Sequence, residues 1–275
     1  MLRKVASEKE QERKHEKNKE RYLGKLVLER NGYVCHRILG RGAFSQVYWV
    51  EKTDSGKLFA CKVSVKADLL EREAEVMHKL KAPLFPAYGG FWKEAGLGFL
   101  LSEFVAGCTM EEMLRRRGGF SMNQTIRVGL ALAKGLKYLH EREERYLFRD
   151  VKPANVMIAQ DGSVKLIDFG CVCSRGERNS SRAGTPGFAA PEQLARGKKL
   201  TPACDVYGLG RTLEAMLGAR RLRIWNRRER RLRRFLRDCT RADRRRRIPD
   251  MNGVLATLGK LKENETEVQE ISVVN

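Results

Sequence analysis

The apolar residues of the chain change their spacing near residue 105, and this change constrains the fold more than any other feature. Before it, short runs alternate apolar and polar residues between glycine-containing turns, which is typical of antiparallel strands. After it, apolar residues recur every three or four positions, which is typical of helices with one buried face. A β-rich segment followed by an α-rich segment predicts an α+β fold.

Five strands and one helix are predicted in the first segment, and helices dominate the second. The predicted strands are residues 33–39, 47–52, 58–65, 87–93 and 98–104, and the helix covers 66–81. The later helices are expected at 110–117, 122–142, 205–217, 230–239 and 251–261, with a hairpin formed by 156–158 and 164–167. The chain therefore divides into a charged extension (1–30), a β-rich domain (31–104), an α-rich domain (105–262) and a tail (263–275).

The chain carries a formal net charge of +21, and more than half of it lies in one segment. Residues 219–247 contain fifteen arginines and three acidic residues, which contribute +12. Such an excess predicts attraction to polyanions: nucleic acid, anionic lipid or an acidic protein. The simpler interpretation of the stretch from Arg220 to Arg247 is a packed helix with a solvated arginine face. Contact with a membrane or nucleic acid through this stretch is the alternative.

The composition predicts a soluble cytoplasmic protein. No run of eighteen apolar residues occurs, so no transmembrane segment is expected, and the first twenty residues lack the apolar core of a signal peptide. Seven cysteines without a repeated spacing fit reduced thiols better than a disulfide framework. Residues 1–30 are expected to form a solvated helical extension, and docking of its apolar cluster at 23–28 is the alternative.

Two glycines, Gly40 and Gly42, lie between the first two predicted strands, where they let backbone N–H groups approach a phosphate. Alone they are weak evidence, because glycines at a hairpin tip are often only a turn. The third predicted strand contains Lys62 near its end. The next helix carries three glutamates that could hold this lysine in place: Glu71, Glu73 and Glu75. Glu73 is the predicted partner of Lys62.

A second group of polar residues lies in the α-rich segment, in the sequences RDVKPAN (149–155) and DFG (168–170). Asp150, Asn155 and Asp168 supply oxygens suited to Mg²⁺ and to accepting a hydroxyl proton. Each of these residues alone is more often a turn residue. The ordered set is far more specific, because glycine loop, strand lysine, helix glutamate and both sequences follow one another in the expected structural contexts.

This ordered set resembles the protein kinase family, specifically the eukaryotic-like serine/threonine kinases that also occur in bacteria. The resemblance covers about residues 31–262 and includes the sequences APE (190–192) and DVYGLG (205–210). Arg247 stands where the family has the arginine that pairs with the APE glutamate, here Glu192. The resemblance implies a two-lobed fold, with a five-stranded antiparallel sheet and one helix in the N-lobe and a mainly α-helical C-lobe.

The resemblance also implies which residues bind ATP. Gly40 and Gly42 would cover its phosphates, and Lys62, held by Glu73, would contact the α- and β-phosphates. The residues implied at the adenine are Val47, Ala60 and Met157 through their side chains and Glu103 and Val105 through backbone hydrogen bonds.

In the C-lobe the resemblance implies the catalytic roles. Asp150 would accept the proton of the substrate hydroxyl, and Lys152 would steady the γ-phosphate. Asn155 and Asp168 would ligate Mg²⁺ or Mn²⁺. Because Lys152 and Thr185 resemble the serine/threonine pattern, we expect transfer from ATP to Ser or Thr hydroxyls of protein substrates.

Arg149, next to Asp150, is typical of kinases whose arginine pairs with an activation-loop phosphate. Ser181 is the predicted site of autophosphorylation, and Ser180 and Thr185 are further candidates. All three lie in the activation loop, the segment between Asp168 and Glu192. The compact size and the sequence PEQ (191–193) indicate a bacterial member of the family. Two alternatives stay open: a pseudokinase scaffold and a small-molecule phosphotransferase of the same fold.

Overall fold

A computed structural model describes residues 22–176, 183–218 and 226–262 and divides the chain into two compact units. The first comprises Met1–Leu80 and Ala87–Phe104, and the second comprises Lys81–Pro86 and Val105–Asn275. The sequence placed residues 81–86 in the β-rich domain. In the structure they belong to the α-rich unit, because the Phe85 ring packs against Tyr138 and Phe169 and the backbone of Leu84 accepts a hydrogen bond from Leu166.

The first unit is built on one antiparallel sheet with the strand order β1-β2-β3-β5-β4. Its elements are β1 (Tyr33–Arg41), β2 (Ser45–Lys52), β3 (Leu58–Ser64), helix α2 (Ala67–Lys79), β4 (Tyr88–Glu94) and β5 (Leu97–Glu103). Only Ala95 and Gly96 separate the last two strands, and both have positive φ, as a tight hairpin turn requires. The predicted five-stranded antiparallel sheet, with a helix between its third and fourth strands, is confirmed.

Successive side chains of β3 point to opposite faces of the sheet, so the candidate functional residues and the core residues of this strand lie on different faces. Phe59, Cys61 and Val63 are buried and belong to the apolar core of the unit. Ala60 and Lys62 therefore point to the other face.

A helix preceding the sheet, α1 (residues 22–30), packs on this apolar core. Val27 and Leu28 are buried in the core cluster, and Gly24 lies so close that an added Cβ would come within 3.0 Å of Val63. The Arg30 and Asn31 side chains both bond to Glu94 on β4. The sequence predicted a solvated extension here. For this part the docked alternative is correct, because the apolar face of the sheet needs a covering layer.

The second unit is mainly helical, as the sequence predicted. Its helices are α3 (Met110–Arg117), α4 (Met122–Glu141), α5 (Pro191–Leu194), α6 (Ala203–Leu217), α7 (Arg227–Cys239) and α8 (Met251–Gly259), with 3₁₀ turns at Pro153–Asn155 and Arg244–Arg246. Its short strands are β6 (Gly107–Thr109), β7 (Tyr146–Leu147), β8 (Val156–Ala159), β9 (Val164–Leu166) and β10 (Cys173–Ser174). The predicted hairpin is the antiparallel pair β8–β9. Within the described ranges, no helix is long and apolar enough to cross a membrane.

Local sequence explains where α3 and α4 begin. The Thr109 and Ser121 hydroxyls each accept a hydrogen bond from the backbone N–H three residues later. The side chains of Glu112 and Gln124 in turn accept the backbone N–H of the capping residue. On α4, a Cβ at Gly135 would overlap Leu84. This close approach lets the segment 81–86 lie directly on the helix.

All seven cysteines are free thiols. Three of them are deeply buried: Cys61 in the first unit, and Cys204 and Cys239 in the second. Burial raises the pKa of each of these three thiols above its ordinary value, because a thiolate would lose its hydration. The buried thiols are therefore protonated at neutral pH and serve as small apolar side chains.

Candidate active site

Lys62 on β3 and Glu73 on α2 form an ion pair inside the first unit. Lys62 Nζ lies 3.0 Å from Glu73 Oε1 and 2.8 Å from Oε2. The other two glutamates of the helix do not compete, because Glu71 bonds to Lys93 on β4 and Glu75 is exposed. Glu73 lies on the buried side of α2, with its side chain only 6% exposed, so the three alternatives reduce to one.

The predicted phosphate loop forms the turn between β1 and β2. The Gly42 N–H donates to Ser45 O at 2.8 Å, and a Cβ at Gly42 would approach Ser45 Oγ to 2.8 Å. A side chain at position 42 would therefore require the Ser45 hydroxyl to move. A Cβ at Gly40 would meet nothing within 4 Å, so Gly40 leaves open space beside the sheet.

The first unit places Val47 and Ala60 on the same face of the sheet as Lys62. Val47 is paired with Lys62 across β2 and β3, and Ala60 is paired with Ser102 across β3 and β5. Both apolar side chains are half-buried. This face therefore combines apolar surface with one paired ammonium.

Glu103 ends β5, and its position is fixed by Ala87. The Glu103 N–H donates to Ala87 O at 2.8 Å, and Glu103 Oε2 accepts the Ala87 N–H at 3.0 Å. Val105 belongs to the second unit and is buried. Met157 lies on β8, paired with Thr109 of β6.

Asp150 is a buried carboxylate surrounded by donors. Its Oδ1 accepts the Thr185 N–H at 3.1 Å and the Thr185 hydroxyl at 2.8 Å. Its Oδ2 accepts Asn155 Nδ2 at 3.0 Å and lies 2.8 Å from Lys152 Nζ. The structure thus brings together Asp150, Lys152 and Asn155, which the sequence singled out.

Thr185 belongs to the same cluster, although the sequence suggested it as a phosphorylation site. Its hydroxyl donates to Asp150 and accepts a hydrogen bond from Lys152 Nζ at 2.7 Å. The three side chains form a closed triangle of contacts. A phosphate on Thr185 would remove the hydroxyl hydrogen that Asp150 accepts and place two negative charges beside its carboxylate. The other two candidates, Ser180 and Ser181, lie outside the described residues.

The backbone before Asp150 is held in a left-handed conformation. Arg149 has φ +69°, which is unfavourable for a residue with a side chain. Asp205 of α6 accepts the Arg149 N–H at 2.7 Å and the Phe148 N–H at 2.9 Å. His140 Nε2 of α4 lies 2.8 Å from the same carboxylate. The sequence did not single out His140, because a lone histidine near a helix end carries no pattern that indicates its partner.

Asn155 and Asp168 supply the oxygens suited to a divalent cation. Both amide N–H groups of Asn155 serve Asp150, at its carbonyl and its Oδ2, which turns the amide oxygen the other way. The Ile167 N–H donates to Asn155 O at 2.9 Å, so the chain next to Asp168 runs beside Asn155. Among the described residues no group of three or more His, Cys, Asp or Glu could hold a metal. Amide and carboxylate oxygens are the kind of ligand that Mg²⁺ prefers, and Mg²⁺ commonly completes its shell with substrate phosphates.

One contact between aromatic rings and one ion pair stabilise the second unit near the Asp150 cluster. The Phe148 and Phe169 rings meet edge to face with centroids 5.7 Å apart. Arg247 makes the expected pair with Glu192, at 2.7 and 3.2 Å, and its side chain is fully buried. Removing either charge would leave the other buried without its partner.

Helix α7 carries the arginine-rich sequence on one face. Its apolar side chains are buried in the unit: Leu232, Phe235, Leu236 and Cys239. Six arginines of the helix are exposed to solvent: Arg227, Arg230, Arg231, Arg233, Arg234 and Arg237. Because the apolar stripe is already packed, the helix cannot insert that stripe into a membrane. Residues 219–225 of the arginine-rich stretch, including Arg220, lie outside the described residues.

Comparison with known proteins identifies the family. A family model described as the protein kinase domain matches residues 33–252. A putative receptor-like protein kinase of Arabidopsis thaliana is 32% identical over 208 residues, covering 69% of this chain and 46% of the relative. The Aurora kinase of Eremothecium gossypii is 29% identical over 194 residues, covering 66% of this chain and 52% of the relative.

A third relative is the putative serine/threonine-protein kinase PRKY of Homo sapiens, 30% identical over 187 residues, which covers 65% of this chain and 66% of the relative. The chain spans less than two thirds of the length of each of the three relatives. All three come from eukaryotes, so they do not show the bacterial origin that the sequence suggested. The family match covers most of the chain and includes the Lys62–Glu73 pair and the Asp150 cluster. This chain belongs to the protein kinase family.

Proposed function

We propose that the protein is a serine/threonine protein kinase, which transfers the γ-phosphate of ATP to Ser or Thr hydroxyls of protein substrates. The observation that carries this proposal is the cluster in which Lys152, Asn155 and Thr185 all contact the Asp150 carboxylate. The contact between Lys152 and Thr185 supports Ser/Thr specificity, because these are the two residues of the serine/threonine pattern. The names of two relatives, Aurora kinase and serine/threonine-protein kinase PRKY, agree with it.

In this proposal Asp150 aligns the substrate hydroxyl and accepts its proton. The hydroxyl oxygen forms a new bond to the γ-phosphorus while the bond to the ADP oxygen breaks, so that ADP leaves and the proton stays on Asp150 until solvent removes it. The Lys152 ammonium lies next to that carboxylate and would neutralise charge on the transferring group. Little covalent work is asked of the protein, so positioning supplies most of the rate enhancement.

The remaining residues would bind the nucleotide. Gly40 and Gly42 would let backbone N–H groups reach its phosphates, and Lys62, oriented by Glu73, would contact the α- and β-phosphates. Adenine would contact Val47, Ala60 and Met157 and bond to the backbone of Glu103 and Val105. Mg²⁺ held by Asn155 and Asp168 would neutralise phosphate charge.

We further propose that autophosphorylation in the activation loop regulates the enzyme. Ser181 is the first candidate and Ser180 the second, with Arg149 as the partner of the phosphate. Thr185 is a different case, because its hydroxyl is part of the Asp150 cluster. Phosphorylation at Thr185 should inactivate the protein, whereas phosphorylation at Ser181 should activate it.

The exposed arginines of α7 are proposed to contact an anionic surface, either nucleic acid or membrane. Since the apolar stripe of the helix is packed, such contact would be electrostatic, and binding should weaken steeply with salt. Titration of duplex DNA and of anionic vesicles at 50 and 200 mM salt tests this. Binding that is absent from both, or independent of salt, would refute it. A cytoplasmic location and a bacterial origin also stay predictions.

The first experiment is phosphate transfer from Mg-ATP to the protein itself and to a general protein substrate, with Asp150→Asn as control. We expect phosphate on Ser or Thr, mapped by mass spectrometry, and none with the control. Phosphate on a small molecule alone would favour the small-molecule phosphotransferase. Nucleotide binding without any transfer would favour the pseudokinase scaffold.

A further inference from the structure

Gln193, in the short helix α5, holds three backbone segments together with one side-chain amide. The side chain is buried, with Gln193 only 1% exposed. Its Oε1 accepts the Ala190 N–H at 3.0 Å. Its Nε2 donates to Arg149 O at 2.6 Å and to Ala183 O at 3.3 Å. The amide oxygen and the amide N–H groups are therefore all hydrogen-bonded, and they bond to different parts of the chain.

The contact to Arg149 O matters because this carbonyl belongs to the peptide bond that enters Asp150. Arg149 is in the left-handed conformation, which is strained for a residue with a side chain and persists only when the surroundings hold it. Asp205 holds the N–H of Arg149, and Gln193 holds its carbonyl. Together they fix both sides of the strained residue, and with it the direction in which the Asp150 side chain leaves the backbone.

The contact to Ala183 O closes a ring around the carboxylate. Ala183 is two residues before Thr185, which bonds to Asp150 through both its N–H and its hydroxyl. The ring therefore runs from Asp150 through Thr185 to Ala183, across the Gln193 amide to Arg149, and back to Asp150. Movement of the segment 183–185 would be transmitted to the carboxylate through this ring.

The passage of the chain past the amide depends on a glycine. Gly184 has φ +114°, and a Cβ there would lie 3.0 Å from Gln193 Nε2 and 3.2 Å from Arg149 O. A residue with a side chain would thus be strained in its backbone and would push into the amide contact. The contacts of the Gln193 amide therefore depend on a glycine at position 184.

We propose that Gln193 is a positioning residue for the transfer reaction, which orients Asp150 by holding the Arg149 carbonyl and the Ala183 carbonyl at once. The inference rests on the proposed kinase activity. It goes beyond that activity in assigning a role to the residue that follows the APE glutamate. An amide is needed here, because the site presents two carbonyl acceptors and one N–H donor.

Gln124 supplies a matched control within the same unit. It stands at the equivalent place in α4, three residues after the capping residue, and its Oε1 accepts the Ser121 N–H at 3.0 Å. Gln193→Glu and Gln124→Glu both retain the oxygen that caps a helix. Only Gln193→Glu also places a carboxylate against the carbonyls of Arg149 and Ala183. Gln193→Met and Gln124→Met make the same comparison without a charge.

The assay is single-turnover phosphate transfer from Mg-ATP to a general protein substrate, with rates expressed per nucleotide-binding site. Counting sites by titration with a fluorescent ADP analogue separates slower transfer from loss of folded protein. We expect both Gln193 variants to transfer about tenfold to a hundredfold more slowly than the wild type, which is the range for a small misplacement of a catalytic group. The nucleotide dissociation constant should change by less than about twofold, and the Gln124 variants should keep the wild-type rate.

Rates of the Gln193 variants that equal those of their Gln124 counterparts would overturn the proposal. Failure of both Gln193 variants to bind nucleotide, with the Gln124 variants intact, would also overturn it, because Gln193 would then serve the fold alone. A wild-type protein that binds nucleotide and transfers nothing would instead refute the proposed kinase activity, so the two failures are distinguishable.

Discussion

Helix α1 should be an essential part of the first unit, and the substitution Leu28→Ala tests this. Leu28 is fully buried in the apolar core cluster, which also contains Cys61 and Phe99 at 0% exposure. These neighbours lie on a five-stranded sheet, which limits how far the site can collapse around a cavity. Truncating a buried leucine to alanine costs about 2–5 kcal/mol, and we expect about 3 kcal/mol here. The corresponding fall in melting temperature is about 6–12 °C, at about 2–4 °C per kcal/mol.

Leu26→Ala is the matched control, because Leu26 lies on the same helix but is 43% exposed. Its unfolding free energy should change by less than about 0.5 kcal/mol. Thermal and urea unfolding followed by tryptophan fluorescence suits this comparison. Trp49 and Trp92, two of the three tryptophans of the chain, lie on the sheet that α1 covers. Equal stability of the two variants would refute the inference that α1 is part of the core, and a protein cut to start at residue 32 would then fold normally.

Three further predictions concern the ion pairs and the buried thiols. Glu73→Gln should weaken nucleotide binding or slow transfer by at least about tenfold, because it removes the carboxylate that orients Lys62. Glu75→Gln, at an exposed site, should match the wild type in the same assay, and an equal loss in both variants would contradict the pairing. Arg247→Met should lower the free energy of unfolding by about 3–5 kcal/mol in urea titration, because Glu192 would stay buried without its partner. Arg245→Met, at an exposed site, should leave that free energy unchanged. Similar free energies of unfolding for the two variants would show that the ion pair does not stabilise the protein. The free energy of unfolding should fall as the pH rises above about 9, by up to about 1.4 kcal/mol per pH unit for each buried thiol of Cys61, Cys204 and Cys239. The reason is that burial raises the pKa of these thiols, so they keep their protons in the folded protein at a pH where the unfolded chain has lost them. Urea unfolding at pH 8 and pH 10 measures this, and a slope that Cys61→Ala leaves unchanged would exclude the contribution of that thiol.

Much of the fold could be predicted because its signals are local. The spacing of apolar residues distinguishes strands from helices within a window of a dozen residues, and α3 has the predicted bounds, 110–117. The capping residues Thr109 and Ser121 are also visible in the sequence. Motif order and spacing led to the family, since glycine loop, lysine, glutamate and the two C-lobe sequences occur in one order.

The choice among similar candidates needed the tertiary structure. Three glutamates of α2 were candidates for Lys62, and the packing of the helix turns only Glu73 toward it. Thr185 looked like a loop residue that could be phosphorylated, yet the path of the chain brings it to Asp150. Such contacts join residues 11 and 35 positions apart, and no local pattern states which side chain reaches across.

The amino-acid sequence by itself determined which of the longer strands and helices form, in what order, and which chemical groups are available for phosphate transfer. Tertiary structure alone decided that Val27 and Leu28 close the core of the sheet, that Phe85 belongs to the helical unit and that Gln193 bridges Arg149 to Ala183. The physical reason is that secondary structure follows from interactions within a few residues, whereas burial and hydrogen-bond partners depend on surfaces contributed by distant segments.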